Sequence, residues 1–210
     1  MTKPLMTRFF QKSCVVSLEA LPTDGATVLE REYEIYGTIE SIDALSAATG
    51  TEVQEQWGLP CNEGAEFGIF GNFRVRKSIK DGVTTYTQTI KVKEAEGNEE
   101  NEIEISEATY LLFKKLVPKG LLKTRYFFPV PDSDLILEVD VFKDTNDVPC
   151  LQVKIDLEVP EGVDVDKVSL PFTLTDVRAI KPGKKSPEDN DFVRNLFSKH
   201  YESTNPYYTS

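Results

Sequence analysis

The chain has 210 residues and a formal net charge of −11, and 40% of its residues are hydrophobic. This length and composition allow one large globular domain with a sizeable core, and the acidic balance excludes non-specific binding to nucleic acid or anionic membranes. The three cysteines form no C-x-x-C pair, and the single histidine is His200. We therefore expect no disulfide framework, no zinc site and no Ser-His-Asp triad. We expect a cytoplasmic protein without a signal peptide or membrane-spanning segment.

The first clear pattern is ATVLEREYEIYG at residues 26–37. Its alternation predicts a strand with three glutamates on one face: Glu30, Glu32 and Glu34. The apolar residues of TIESIDALSAATG then recur at helical spacing and predict a helix that stops at Gly50. Residues 58–72 carry repeated glycines and predict a loop.

A predicted β-hairpin follows at FRVRKSIKDGVTTYTQTIKVK, where two alternating runs flank Asp81-Gly82. An Asp-Gly pair favours a two-residue type I′ turn. That turn fixes the register, so that paired residue numbers sum to about 163. Arg74, Arg76 and Lys91 then share one face of the hairpin. Like charges at this spacing repel each other unless an anion or a carboxylate neutralises them.

The later strands repeat the alternation of a charged face with an apolar face. Their charged residues are Glu102, Glu104, Lys123, Arg125, Glu138, Asp140, Lys154 and Asp156. Two helices are predicted by their caps, one beginning after Ser106 and one beginning after Ser186. We therefore expect one α+β domain over residues 26–180, a linker, helix and mobile tail over residues 181–210, and an N-terminal extension over residues 1–25 that is a candidate for an extra strand.

The alternation fits two architectures. An antiparallel sheet often has one solvated face, and charges on that face need no further explanation. Alternatively, the strands close into a barrel with the charged faces inside, where the charges must pair with one another or bind a ligand. A polyphosphate with a divalent cation suits such an interior, because Arg and Lys bind phosphate oxygens and carboxylates bind Mg²⁺ or Mn²⁺. The segregation of basic and acidic strands favours the barrel.

The order of these motifs resembles the CYTH family, the triphosphate tunnel enzymes that include class IV adenylate cyclases and thiamine triphosphatases. LEREYEI is similar to the family's E-x-E-x-K strand, FRVRKS to its R-x-R strand, YTQTIK to its Y-x-x-T-x-K strand and LLKTRY to its K-x-R strand. NEIEI, LEVDVF and LQVKIDLEVPE are similar to its acidic strands. The resemblance implies a closed or nearly closed eight-stranded antiparallel β-barrel with flanking helices and a C-terminal helix.

The resemblance also implies that the chain binds a triphosphate or nucleotide with Mg²⁺ or Mn²⁺ and hydrolyses it to release phosphate. The implied phosphate-binding residues are Arg74, Arg76, Lys91, Lys123 and Arg125. The implied metal ligands are Glu30, Glu32, Glu138, Asp140 and Asp156. The implied catalytic residues are Glu30, Glu32 and Lys154, and the implied supporting residues are Glu34, Glu102 and Glu104.

Two positions depart from the family pattern. Glu34 stands where the family has a lysine, and Lys154 stands where the family has an acidic residue. Lys154 either takes the role of the missing lysine or forms a salt bridge with Glu34. Moving a catalytic cation by about 1 Å costs on the order of a hundredfold in rate, so binding survives such a change more readily than turnover.

Three functions therefore stay open. The chain is a metal-dependent triphosphate hydrolase, with nucleotide cyclisation as a less favoured variant because no base pocket is evident. Alternatively it is a non-catalytic protein that binds or sequesters a nucleotide or polyphosphate. The third alternative is an interaction scaffold built on a CYTH barrel. The sequence does not predict the oligomeric state.

Overall fold

The computed structural model describes residues 14–17, 30–60, 71–94, 97–116, 119–144, 146–160, 167–180, 186–198 and 203–204. The strands in these ranges are β1 (Cys14–Ser17), β2 (Glu30–Ile39), β3 (Gly50–Pro60), β4 (Gly71–Lys80), β5 (Val83–Glu94), β6 (Gly97–Glu104), β7 (Lys119–Pro129), β8 (Ile136–Lys143), β9 (Pro149–Pro160), β10 (Lys167–Leu170), β11 (Leu174–Ile180) and β12 (Ser203–Thr204). The helices are α1 (Glu107–Leu116), α2 (Pro187–Ser198) and a 3-10 helix (Ile42–Leu45). None of these helices is long and apolar enough to cross a membrane.

One antiparallel sheet dominates the fold. Its strands follow the order β11-β2-β9-β8-β7-β3-β4-β5-β6, and β12 adds to β7. β1 and β10 form a separate pair, so the N-terminal extension does contain a strand. No pairing joins β11 to β6 within the described residues. The sheet is therefore not closed there, and the expected eight-stranded barrel is not confirmed.

The strand register gathers the charged residues on one side of the sheet. Pairing sets Arg125 opposite both Glu52 and Asp140, and it sets Asp140 opposite Lys154. Because side chains alternate along each strand, one side carries the residues that we call the charged face: Glu34, Tyr36, Glu52, Gln54, Arg74, Arg76, Thr87, Thr89, Glu102, Glu104, Lys123, Arg125, Glu138, Asp140, Lys154 and Asp156. The predicted alternation is confirmed.

The hairpin of β4 and β5 has the predicted register. Arg76 pairs with Thr87 and Arg74 pairs with Thr89. Both turn residues have positive φ, 51° at Asp81 and 78° at Gly82, as a type I′ turn requires. The Asp-Gly signal therefore fixes which side chains of this hairpin face the rest of the charged face.

The opposite side of the sheet holds the main hydrophobic core. Ile35, Val139 and Ile155 are fully buried there, and the 3-10 helix and Leu170–Leu174 segment cover them through Leu45, Leu170 and Phe172. Helix α1 covers a second cluster on the same side through Tyr110, which packs with Trp57 and Val75. Ser106 caps α1 as predicted, since the Thr109 N–H donates to Ser106 Oγ at 3.1 Å.

Helix α2 lies against the charged side of the sheet instead. Its Phe192 and Leu196 pack with Tyr36 and Ile180, and the rings of Tyr36 and Phe192 meet edge-on at 5.3 Å. The cap predicted at Ser186 is confirmed, because Ser186 and Asp189 exchange hydrogen bonds at the start of the helix and form a capping box. The C-terminal helix therefore covers the β2–β11 end of the charged face.

Two local predictions were wrong. Residues 50–60 form β3, a central strand, although Gly50 was expected to end a helix. Of the loop expected over residues 58–72, residues 58–60 and 71–72 belong to strands, and residues 61–70 lie outside the described residues. The predicted helix shrinks to the 3-10 turn at Ile42–Leu45, because β2 continues to Ile39 and Ser41 occupies the N-cap position. Glutamines and glycines in β3 hide the alternation that identifies a strand.

We expect the Gly120→Ala substitution to destabilise the protein by about 2 kcal/mol, a fall in Tm of roughly 4–8 °C. A Cβ atom at Gly120 would lie 2.6 Å from the Trp57 ring, and that ring is held by its hydrogen bond to Glu55 at 3.1 Å. Thermal unfolding of Gly50→Ala is the control, since a Cβ there meets only Phe127, at 3.8 Å. Equal losses in the two variants would contradict this packing.

Candidate functional site

The centre of the charged face is a group of ion pairs around Arg125. Its guanidinium donates to Asp140 through two nitrogens, with Nε–Oδ1 at 2.7 Å and Nη2–Oδ2 at 2.9 Å. It also contacts Glu138, and its Nη2 lies 3.7 Å from Asp156 Oδ2. Lys123 donates to the same Asp140 carboxylate. The predicted basic and acidic residues of β7, β8 and β9 do come together, but they bind one another.

Burial and charge shift the pKa values of this group. Burial alone would raise the pKa of Asp140, but Lys123 and Arg125 lower it to about 2. Burial lowers the pKa of Lys123 to about 8, against the raising effect of Asp140. The pKa of Arg125 is raised, because its contacts with Asp140 and Glu138 outweigh the effect of burial. Arg125 and Asp140 thus stay ionised at neutral pH.

Lys154 bridges the two strands that carry the departures from the family pattern. Its Nζ lies 3.5 Å from Glu34 Oε1 and 2.6 Å from Asp156 Oδ1. Tyr36 donates to the other oxygen of Glu34 at 3.1 Å, and burial raises the pKa of this tyrosine. The salt bridge between Glu34 and Lys154, one of the two predicted alternatives, is confirmed.

Arg74 and Arg76 lie on β4 at the other end of the charged face. Arg74 reaches Glu100 at 3.3 Å, with both side chains partly exposed. Arg76 makes no ion pair or side-chain hydrogen bond to the described residues, and its Nε is buried without a partner among them. Burial and the neighbouring charge of Arg74 lower the pKa of Arg76. A buried guanidinium nitrogen without an acceptor is unfavourable, so this position favours a bound acceptor.

The acidic strand β6 is separated from this arginine pair by β5. Glu102 accepts a hydrogen bond from Thr89 at 2.7 Å, and Glu104 pairs in register with Thr87. Both glutamates are exposed. Glu102 acts on Arg76 electrostatically, but neither glutamate forms an ion pair with Arg76 among the described residues.

Three predicted site residues have no described side chain: Glu30, Glu32 and Lys91. Their backbone is described, and it sets Glu32 opposite Glu158 on β9 and Lys91 opposite Glu100 on β6. Their predicted catalytic, metal-binding and phosphate-binding roles lie outside the described side chains and stay predictions.

The described carboxylates do not fit a metal site as they stand. No three acidic, thiol or imidazole groups among the described residues are arranged to hold a metal ion. The reason is visible at Asp140 and Glu138, whose oxygens accept hydrogen bonds from Arg125. Oxygens that neutralise cations are poorly placed to bind a further cation.

Sequence reasoning missed two polar residues of the charged face, both on β3. Gln54 is 1% exposed and donates to Glu52 Oε1 through its Nε2 at 3.0 Å. Glu52 lies in register between Arg125 on β7 and Lys80 on β4. The only sequence signal was the alternation of Glu52, Gln54 and Gln56 with Val53, Glu55 and Trp57, and Glu55 interrupts it.

Comparisons with known proteins give limited similarity. No protein-family model matches the chain, and no curated protein matches it. Among solved structures, the PH1819 protein from Pyrococcus horikoshii OT3 is similar at 16% identity and a TM-score of 0.43, over 80% of this chain and 86% of that one. HpAC1 from Hippeastrum, described as having a dominant triphosphatase activity, is similar at 16% identity and a TM-score of 0.40, with the same coverage. Similarity at this level assigns no activity.

We expect the Asp140 carboxylate to contribute to the acid stability of the fold. Its pKa is depressed in the folded state, so its contribution is complete above the unfolded pKa near 4 and is lost as pH falls towards about 2. The difference in unfolding free energy between pH 5 and pH 2 should be roughly 2 kcal/mol smaller in Asp140→Asn than in wild type. Urea unfolding at both pH values measures it.

The control for this titration is Asp134→Asn, at an exposed position in the turn before β8. Its pH dependence should follow the wild type. Equal pH dependence in all three proteins would mean that Asp140 is not held ionised by Lys123 and Arg125.

Proposed function

We propose that this protein binds the phosphate chain of a triphosphate-containing ligand at the Arg74–Arg76 end of the charged face. The single observation that carries the proposal is Arg76, whose buried Nε lacks a partner among the described residues. Phosphate oxygens are strong acceptors for guanidinium groups. An anion bound between Arg74 and Arg76 would relieve their mutual repulsion and satisfy the buried nitrogen.

The other cations of the charged face support the same location. Lys123 and Arg125 are held by Asp140, and Lys154 is held by Glu34 and Asp156. An anion at those positions would have to displace carboxylates, whereas at Arg76 it displaces none among the described residues. The order of sequence motifs, which resembles the CYTH family, supports a triphosphate as the anion and an eight-stranded barrel as the full architecture. The absence of C-x-x-C pairs suits a cytoplasmic protein.

Hydrolysis of the triphosphate with Mg²⁺ or Mn²⁺ is a second candidate function. The strand pairing of β2 with β9 favours it, because it sets Glu32 opposite Glu158. A metal ion would depend on Glu30 and Glu32, since Glu138 and Asp140 are engaged by Arg125. Such an ion supplies charge stabilisation and a bound water for phosphoryl transfer.

We expect Arg76→Met to weaken tripolyphosphate binding about tenfold or more, because hydrogen bonds to charged groups are lost. The same substitution should raise the Tm of the unliganded protein, since it removes a half-buried charge that no described carboxylate contacts. Thermal unfolding with and without tripolyphosphate measures both effects, as a ligand that binds the folded state raises Tm.

Lys77→Met is the matched control for Arg76→Met. Lys77 is the next residue of β4 and points to the other side of the sheet. It should keep the tripolyphosphate response. A wild-type Tm that does not change with millimolar tripolyphosphate would overturn the proposed function.

Phosphate release separates hydrolysis from binding alone. If the second candidate holds, wild type releases phosphate from tripolyphosphate only with Mg²⁺ or Mn²⁺, and Glu32→Gln lowers the rate on the order of a hundredfold while it keeps the rise in Tm. Release that appears only in the Glu34→Lys, Lys154→Glu double variant would identify the natural chain as a binder.

A further inference from the structure

Gln54 is a buried amide in the middle of the charged face. In the strand register it lies between Lys123 on β7 and Ser78 on β4. The next pair of that face along β3 and β4, Gln56 and Arg76, borders the phosphate position. Gln54 is therefore one step, about 7 Å along the strand, from the arginine that carries the proposed function.

The orientation of the Gln54 amide is fixed by its neighbour. Its Nε2 donates to a carboxylate oxygen of Glu52 at 3.0 Å. A flipped amide would place its carbonyl oxygen against that carboxylate, and two acceptors repel. The carbonyl oxygen Oε1 therefore points away from Glu52. It is buried and has no hydrogen-bond partner among the described residues.

A buried acceptor without a donor is costly, about 1–3 kcal/mol, and it selects for ligands that bring a donor. The ionised oxygens of tripolyphosphate are acceptors only. Three other atoms without a described partner lie on the same face and can donate: Nε of Arg74, Nε of Arg76 and Oγ1 of Thr87. Gln54 Oε1 can only accept, whereas Thr87 Oγ1 can also donate, and Asp156 Oδ1, another buried acceptor of this face, is ion-paired with Lys154. Gln54 Oε1 therefore requires a different part of the ligand.

We propose that Gln54 is a specificity-determining residue that accepts a hydrogen bond from a sugar hydroxyl next to the phosphate chain. The site then takes a ribonucleoside triphosphate in preference to inorganic tripolyphosphate. This inference rests on the proposed function, because the phosphates must be held at Arg74 and Arg76 for the sugar to reach Gln54.

The test compares three probes by isothermal titration calorimetry: ATP, 2′,3′-dideoxy-ATP and tripolyphosphate. Wild type should bind ATP about tenfold or more tightly than dideoxy-ATP, because loss of the hydroxyl leaves the acceptor unpaired. In Gln54→Met, which keeps the length of the side chain but removes the carbonyl, this ratio should fall to about one. Tripolyphosphate affinity should change less than about threefold in that variant.

Gln88→Met is the control, since Gln88 lies on the opposite side of the sheet, in register with Val75, and should keep the wild-type ratio. Equal binding of ATP and dideoxy-ATP by wild type overturns the inference, and so does a ratio that survives in Gln54→Met. If Gln54→Met does not fold, the wild-type ratio alone decides. Failure of all three probes to bind overturns the proposed function, whereas tripolyphosphate binding without a hydroxyl effect overturns only the role of Gln54.

Discussion

The bidentate ion pair between Arg125 and Asp140 is the constraint on which the charged face depends. Asp140 is 1% exposed, so neither charge can be solvated freely, and removing one partner of such a pair typically costs about 3–5 kcal/mol. The pair also fixes its surroundings. Glu138 and Asp156 approach Arg125 from β8 and β9, and Lys123 shares Asp140. Three neighbouring strands are thus held in one register by polar contacts as well as by the core beneath them.

This central network determines what the departures at Glu34 and Lys154 do. Each of the two residues has the charge that the family pattern gives to the other position. Lys154 forms ion pairs with Glu34 and with Asp156. Lys154 is therefore held by two carboxylates next to Arg125. The net charge of the charged face is the same as in the family pattern, but the position of the Lys154 ammonium group is set by Glu34 and Asp156. Binding of a phosphate chain depends mainly on the net charge and tolerates this arrangement. Hydrolysis depends on the exact position of the catalytic cation. The charge exchange thus weighs more heavily on hydrolysis than on binding.

The period-2 alternation predicted the two faces of the sheet, and the Asp81-Gly82 turn predicted the register of β4 with β5, because both signals are local. β3 was missed because TEVQEQWGLP places glutamines on one face and Glu55 on the other. The burial of Glu55 under α1 is compensated by Lys114 and Trp57, a tertiary effect that no local pattern reports. The closed barrel was predicted from the segregation of basic and acidic strands and from the family resemblance. Closure depends on contacts between the first and last strands of the sheet, which lie far apart in the sequence.

Arg76 and Gln54 together indicate how the fold relates to the ligand. Each places a buried polar atom without a described partner on the same face, and each such atom lowers the stability of the unliganded protein. The two atoms differ in kind, since one donates and the other accepts. A separate water molecule could bind each atom, and two separate waters would not explain why Gln54 and Arg76 lie in neighbouring residue pairs of β3 and β4. A ligand with phosphate oxygens at one end and a hydroxyl at the other satisfies both at once. If the proposed ligand binds there, the free energy that folding loses at these two positions would be recovered on binding.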